Sequence, residues 1–132
     1  MSASPETLHH NAPSQPSGAE PERYRFFSIK LHRLISYRED GAVYVREIGS
    51  DWVRTRAPAE TVAVRVERFA RAANAITNLP AWARSITDLP TMTEIERWST
   101  DSVVEATDGE EVEPDGHSPD GAPSWLLALG MI

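Results

Sequence analysis

The 132-residue sequence contains no cysteine, which removes disulfides, thiolate metal sites and cysteine nucleophiles from consideration. Lysine is almost absent as well: Lys30 stands alone beside twelve arginines. With frequent alanine, that bias matches the coding habit of a GC-rich bacterial or phage genome. Long apolar runs are missing. The longest, Trp125-Leu126-Leu127-Ala128-Leu129-Gly130-Met131-Ile132, falls well short of the ~20 residues needed to cross a bilayer. The opening residues have no basic cluster followed by an apolar stretch, so they do not read as a secretory signal. A cytoplasmic protein is expected.

Chemical motifs are equally scarce. His9 and His10 are adjacent near the start, while His32 and His117 are isolated, so no histidine pair has metal-ligand spacing. The acids between Glu105 and Asp120 lack the alternating positions and terminal Glu of a calcium loop. Ser28, Ser36, His32 and Asp51 lie near one another in sequence, yet no Gly-x-Ser-x-Gly elbow or phosphate-cradling glycine loop accompanies them. No catalytic residue, metal or cofactor is therefore expected.

What is present is an uneven charge layout. The formal charge is -7, but residues 22–85 carry twelve Lys or Arg against seven acids, whereas residues 86–132 carry Arg97 against eleven acids. A basic half is thus followed by a strongly acidic one. Eight of those acids lie between Asp101 and Asp120, with no Lys or Arg among them. This acidic stretch reads as a solubilising linker, as a lid over the basic face, or as a nucleic-acid mimic.

The hydrophobic pattern predicts an α+β fold: a small antiparallel sheet over residues 23–56, covered by one amphipathic helix, with an irregular acidic C-terminal half. Phe27, Ile29, Leu31, Ile35 and Tyr37 alternate at period two, broken by Arg33, and Val43 and Val45 resume the pattern. A three-residue loop ending on left-handed Gly41 sets Tyr37 opposite Val43, Ile35 opposite Val45 and Arg33 opposite Glu47. A two-residue loop would oppose Ile35 to Arg46 instead, so the longer loop is preferred. Trp52 to Thr55 suggests a third short strand. From Pro58 to about residue 78 a helix is predicted, with Val62, Val66, Phe69, Ala73 and Ile76 as the stripe facing the hairpin. Short helices follow near Ala81 and after Thr91, where Thr91 and Glu94 have capping-box spacing. A weak hairpin is expected about Asp108-Gly109.

These signals divide the chain into a disordered tail (1–21), an α+β domain (22–100), an acidic turn-rich linker (101–123) and an apolar docking segment (124–132). Burying the large side chains of that last segment yields roughly 9 to 18 kcal/mol at about 1.5 to 3 each, an upper bound. Ordering its backbone costs on the order of 12 kcal/mol. The near balance means that it needs a preformed groove, either on its own domain or on another protein. Membrane attachment is disfavoured because the preceding acids would be repelled by anionic lipid.

Two functions are expected from this layout. The first is a small non-enzymatic bacterial or phage accessory or inhibitor protein that binds another protein through its acidic arm and a C-terminal anchor of Trp125, Leu126, Leu127, Leu129 and Ile132. The alternative is a nucleic-acid-binding module built on Arg23, Arg25, Lys30, Arg38, Arg65, Arg68 and Arg71, with Tyr24 and Phe26 interleaved for stacking and the acidic tail as autoinhibitor.

Overall fold

The computed structural model describes residues 15–132. Four strands, β1 (Glu22–Ser28), β2 (Arg33–Arg38), β3 (Val43–Arg46) and β4 (Val53–Arg56), form one antiparallel sheet in sequential order. The helix α1 (Val62–Thr77) packs on one face. The short helices α2 (Ala81–Arg84) and α3 (Met92–Trp98), the two-residue strands β5 (Val104–Glu105) and β6 (Glu111–Val112), and a closing turn of helix, α4 (Trp125–Ala128), make up the rest.

The central hairpin has the expected register: Ile35 opposes Val45 and Tyr37 opposes Val43, and Arg33 reaches Glu47 at 3.2 Å. Its loop closes on Gly41 at φ +88°, where a Cβ would lie 2.7 Å from that of Ala59. Only glycine meets both conditions without strain.

The region before it differs from the single strand expected over residues 27–37. Residues 29–32 form a turn: the His32 amide donates to the Ser28 carbonyl, the Leu31 amide donates to Ser28 Oγ, and His32 adopts φ +57°. The run Ile-Lys-Leu-His contains none of the usual turn residues, so alternation alone concealed the reversal. The consequence is large. Phe27 now opposes Leu34 on one face, while Tyr24, Phe26, Ile35 and Tyr37 share the other.

The two faces are covered differently. On the first, Phe27 and Leu34 join Ile86, Leu89, Ile95, Trp98, Val104, Trp125, Leu126, Ala128 and Leu129 in one buried cluster. This is the main core, and it replaces the expected one of hairpin plus α1 stripe. Because Val104 and residues of α4 belong to it, the stretches divided at 100 and 123 share one interior. The capping box of Thr91 and Glu94 forms as expected and starts α3, which delivers Ile95 and Trp98 to that core. The acidic stretch is folded as the predicted hairpin, Val104 opposing Val112, with Gly109 at φ +91°. Of the tail expected over 1–21, residues 1–14 lie outside the described residues. The remainder is tied to the sheet: Arg38 bonds the Glu20 carbonyl and the Gln15 side chain, and the Glu39 amide bonds Pro21.

The other face carries α1, which begins at Val62 with Thr61 as its cap rather than at Pro58. Val62 and Val66, expected to face the sheet, are 64% and 59% exposed. Contact is made by Ala72, which is buried, and by Phe69 and Ile76, which are half-buried. The cause is a polar pin. Arg68 Nη1 donates to the carbonyls of Gly41 and Ala57 at 2.7 and 2.6 Å, Tyr24 meets Phe69 edge-on, and the Arg23 guanidinium sits 4.6 Å from the Phe69 ring centre. Two direct carbonyl bonds from a cation are comparable with the burial of two valines, and with the ring and cation contacts of Phe69 they fix the helix rotation.

In the acidic hairpin, Ser118 Oγ donates to Asp108 Oδ2 at 2.6 Å. This bond, together with one from the Glu110 amide, holds the Asp108 carboxyl below the usual carboxylate range. A depressed folded pKa contributes stability that is present above the unfolded value of about 3.9 and is lost as pH falls through the folded one. Urea midpoints measured from about pH 5 down to about pH 2.5 should therefore fall more steeply for the wild type than for Asp108→Asn. Parallel curves would contradict this. The effect is small because the carboxylate is largely solvated.

Candidate functional site

The helix pin leaves a cleft. Since α1 is anchored over β1 and β2, the face of β3 and β4 beneath its first turns is uncovered. A groove of about 590 Å³ results. Its floor is formed by Ile35, Tyr37, Val43 and Val45 from the hairpin, with Leu31 at one end and Val64 of α1 as the opposite wall. Arg33, Arg56, Arg68 and Arg71 stand around it with Glu67 as the one acid. Arg33 is paired with Glu47, Arg71 with Glu67, and Arg68 with backbone carbonyls. Among the described residues Arg56 has no ion pair. An aliphatic floor with a cationic rim suits a ligand that is both apolar and anionic.

The C-terminal anchor residues lie elsewhere. Trp125, Leu126 and Leu129 are buried in the chain's own core, Trp125 meeting Phe27 edge-on at 6.3 Å. Leu127 is half-buried and Ile132 is exposed. Of the two places expected for the groove that this segment needs, the structure has the one on its own domain: three of the five side chains named as an anchor are packed there. Ser124 caps α4 by accepting from the Leu127 amide. Gly130, at φ +71°, closes the helix with bonds from its own amide to Leu127 and from the Met131 amide to Leu126, a Schellman arrangement. His32 Nδ1 donates to the Ala128 carbonyl at 3.0 Å, latching the end to the β1–β2 turn.

The seven basic residues nominated for nucleic acid are not assembled into one free surface. Arg25 bonds Glu22 and the Thr87 carbonyl and lies under Trp52. Arg38 is buried and bonded to residues 15 and 20. Arg68 and Arg71 have the partners given above, and Arg23 is paired with Glu39 over Phe69. Lys30 and Arg65 form no ion pair among the described residues. Tyr24 packs on Phe69, and Phe26 is buried against Tyr37, so neither ring is presented for stacking. None of the acids from 101 to 120 lies against an arginine in an ion pair among the described residues, and none lines the groove. The acidic stretch is not a lid over it.

Ser28, Ser36, His32 and Asp51 are each bonded to a different neighbour: the Leu31 amide, Glu22, Ala128 and the Trp52 amide. A second cavity, of about 250 Å³, brings His32 and His117 together among Ile29, Trp82, Pro123, Leu127 and Ala128. Its lining contains no acid or hydroxyl to orient an imidazole, and no group of three metal-ligating side chains occurs among the described residues. No helix among them is long and apolar enough to cross a membrane. Neither the groove nor the cavity shared by the two histidines was legible in sequence, because the residues forming them come from segments far apart in the chain. No protein-family model, no curated protein and no solved structure matches this chain.

Proposed function

We propose that this chain is a non-enzymatic, cytoplasmic accessory or inhibitor protein of bacterial or phage type that binds another protein through the groove between α1 and the hairpin. The observation that carries the reading is the groove itself: six aliphatic or aromatic side chains, Leu31, Ile35, Tyr37, Val43, Val45 and Val64, lining one solvent-open cleft. Such a surface is costly to leave in water and is the usual chemistry of a protein interface centre. Nucleic acid is the weaker alternative, because Arg25, Arg38 and Arg68 are engaged within the fold and the groove floor is mainly aliphatic.

The test is a peptide selection. Peptides enriched from a random library on the wild-type protein should bind Val64→Glu at least about tenfold more weakly, a loss expected when a charge enters an apolar interface centre. They should bind Val103→Glu normally, since Val103 is exposed outside the groove. Both variants alter exposed positions and should keep the wild-type thermal transition. Failure to enrich any peptide, or enrichment of peptides indifferent to Val64, would rule the groove out as the binding surface.

A further inference from the structure

We infer that β4 accepts an extended acidic-aliphatic peptide as a fifth strand, its aliphatic side chains continuing the groove's apolar face beyond Val53 and its carboxylates facing Arg54 and Arg56. This inference rests on the reading of the groove as a protein-binding site and names the partner's chemistry. The first observation is topological. β4 is an outer strand of the sheet, and all four of its residues are exposed, so its far edge presents unpaired backbone groups. The other outer strand, β1, has Phe26 and Phe27 buried and α2 packed against it. The open edge is therefore the one that borders the groove.

Side-chain directions follow from register. Val53 opposes Val45, which lines the groove, whereas Arg54 opposes Tyr44 on the other face. A fold in the pairing between Val43 and Tyr44 returns Arg56 to the groove side, opposite Val43. A strand laid on β4 alternates in the same way. Its groove-side residues meet Val53, which extends the apolar face of Val43 and Val45 outward, favouring aliphatic side chains. Its remaining residues meet Arg54, favouring carboxylates, and the one groove-side position beside Arg56 favours an acid as well. Neither arginine has an ion pair among the described residues.

Charge also selects against a second copy of this chain. Pairing β4 with β4 would crowd four arginines along one short ladder, and like charges across strands are unfavourable. Backbone pairing supplies affinity in this mode of recognition, and alternate side chains supply specificity.

The experiment uses the full chain and fluorescein-labelled synthetic peptides of about ten residues, read by anisotropy. An alternating Glu-Val peptide should bind, while Lys-Val and Glu-Ser peptides should bind at least about tenfold more weakly. The Arg54→Glu/Arg56→Glu double variant should weaken the Glu-Val peptide about tenfold, as should raising salt to about 0.3 M. Two further Glu-Val peptides carry N-methyl groups on either the Val or the Glu residues. Because successive amides point to opposite edges of a strand, one should lose binding and the other should retain it. Equal binding of the two overturns strand addition. If Val64→Glu still abolishes binding in that case, the groove remains the protein site and only this inference fails. Tighter binding of a short oligo(dT), lost in the same double variant, overturns it in favour of nucleic acid. Unchanged Glu-Val binding by the double variant also overturns it.

Discussion

Deletion of residues 124–132 is expected to abolish the cooperative thermal transition of this protein, and Trp125→Ala to lower its stability by about 3 to 5 kcal/mol. Trp125 packs edge-on against Phe27, which is fully buried, and both belong to the same cluster as Leu34, Ile95 and Trp98. Truncating a buried aromatic removes its transfer energy and leaves a cavity that close-packed neighbours fill only in part. Deletion takes Leu126 and Leu129 as well, both buried, and frees the His32 ring from its Ala128 acceptor. A domain of this size has a total stability on the order of 5 to 15 kcal/mol, so three such losses together are as large as the whole of it. Differential scanning calorimetry on the truncated chain is the direct check. A retained transition near the wild-type temperature would show that the strip is a dispensable tail and would return Trp125 to the list of docking residues.

Glu22→Gln is expected to cost about 3 kcal/mol, more than its partial exposure would suggest. Its carboxylate accepts from Arg25 Nε at 2.8 Å and from Ser36 Oγ at 2.7 Å, and lies 3.9 Å from Arg38 Nη2. The side chains of Arg25 and Arg38 are only 6% and 3% exposed, whereas that of Glu22 is 21% exposed. One carboxylate therefore balances two guanidinium groups that water scarcely reaches. Burial already pushes the Arg38 pKa below its ordinary value, with Glu22 the main opposing influence, and Arg38 Nε has no hydrogen-bond partner among the described residues. Removing one member of a buried ion pair costs about 3 to 5 kcal/mol because the other charge stays buried and uncompensated. The lower end applies here, since Glu22 retains some water. Ser36→Ala, which removes one hydroxyl donor from the same carboxylate, should cost about 1 kcal/mol. Urea denaturation of the two variants tests the ordering. Equal losses would mean that Glu22 serves as a hydrogen-bond acceptor and that its charge is irrelevant.

Much of the local structure was legible from residues close in sequence. The register of β2 on β3 followed from matching Ile35 with Val45 and Arg33 with Glu47 across a loop that only Gly41 could close. The Thr91–Glu94 capping box and the turn at Gly109 were likewise contained within a few residues. The reversal at residues 29–32 was hidden because His32, rather than glycine or asparagine, takes the left-handed conformation. One unseen turn moved Phe27 to the face of Leu34, opposite Ile35 and Tyr37, and with it the core. The rotation of α1 was hidden for a related reason: periodicity marks apolar side chains but carries no record of the Gly41 and Ala57 carbonyls that hold Arg68.

Sequence by itself determined the α+β class, the hairpin register, the Thr91–Glu94 capping box and the separation of basic from acidic halves, because each arises from periodicity, turn chemistry or charge within about a dozen residues. Only the tertiary structure decided that the terminal strip is core, that Arg25 and Arg38 are committed internally, and that an open groove borders β4. Those outcomes depend on contacts such as Arg25 to Thr87 and His32 to Ala128, spanning 62 and 96 positions, and no local pattern records which distant carbonyl a side chain will meet.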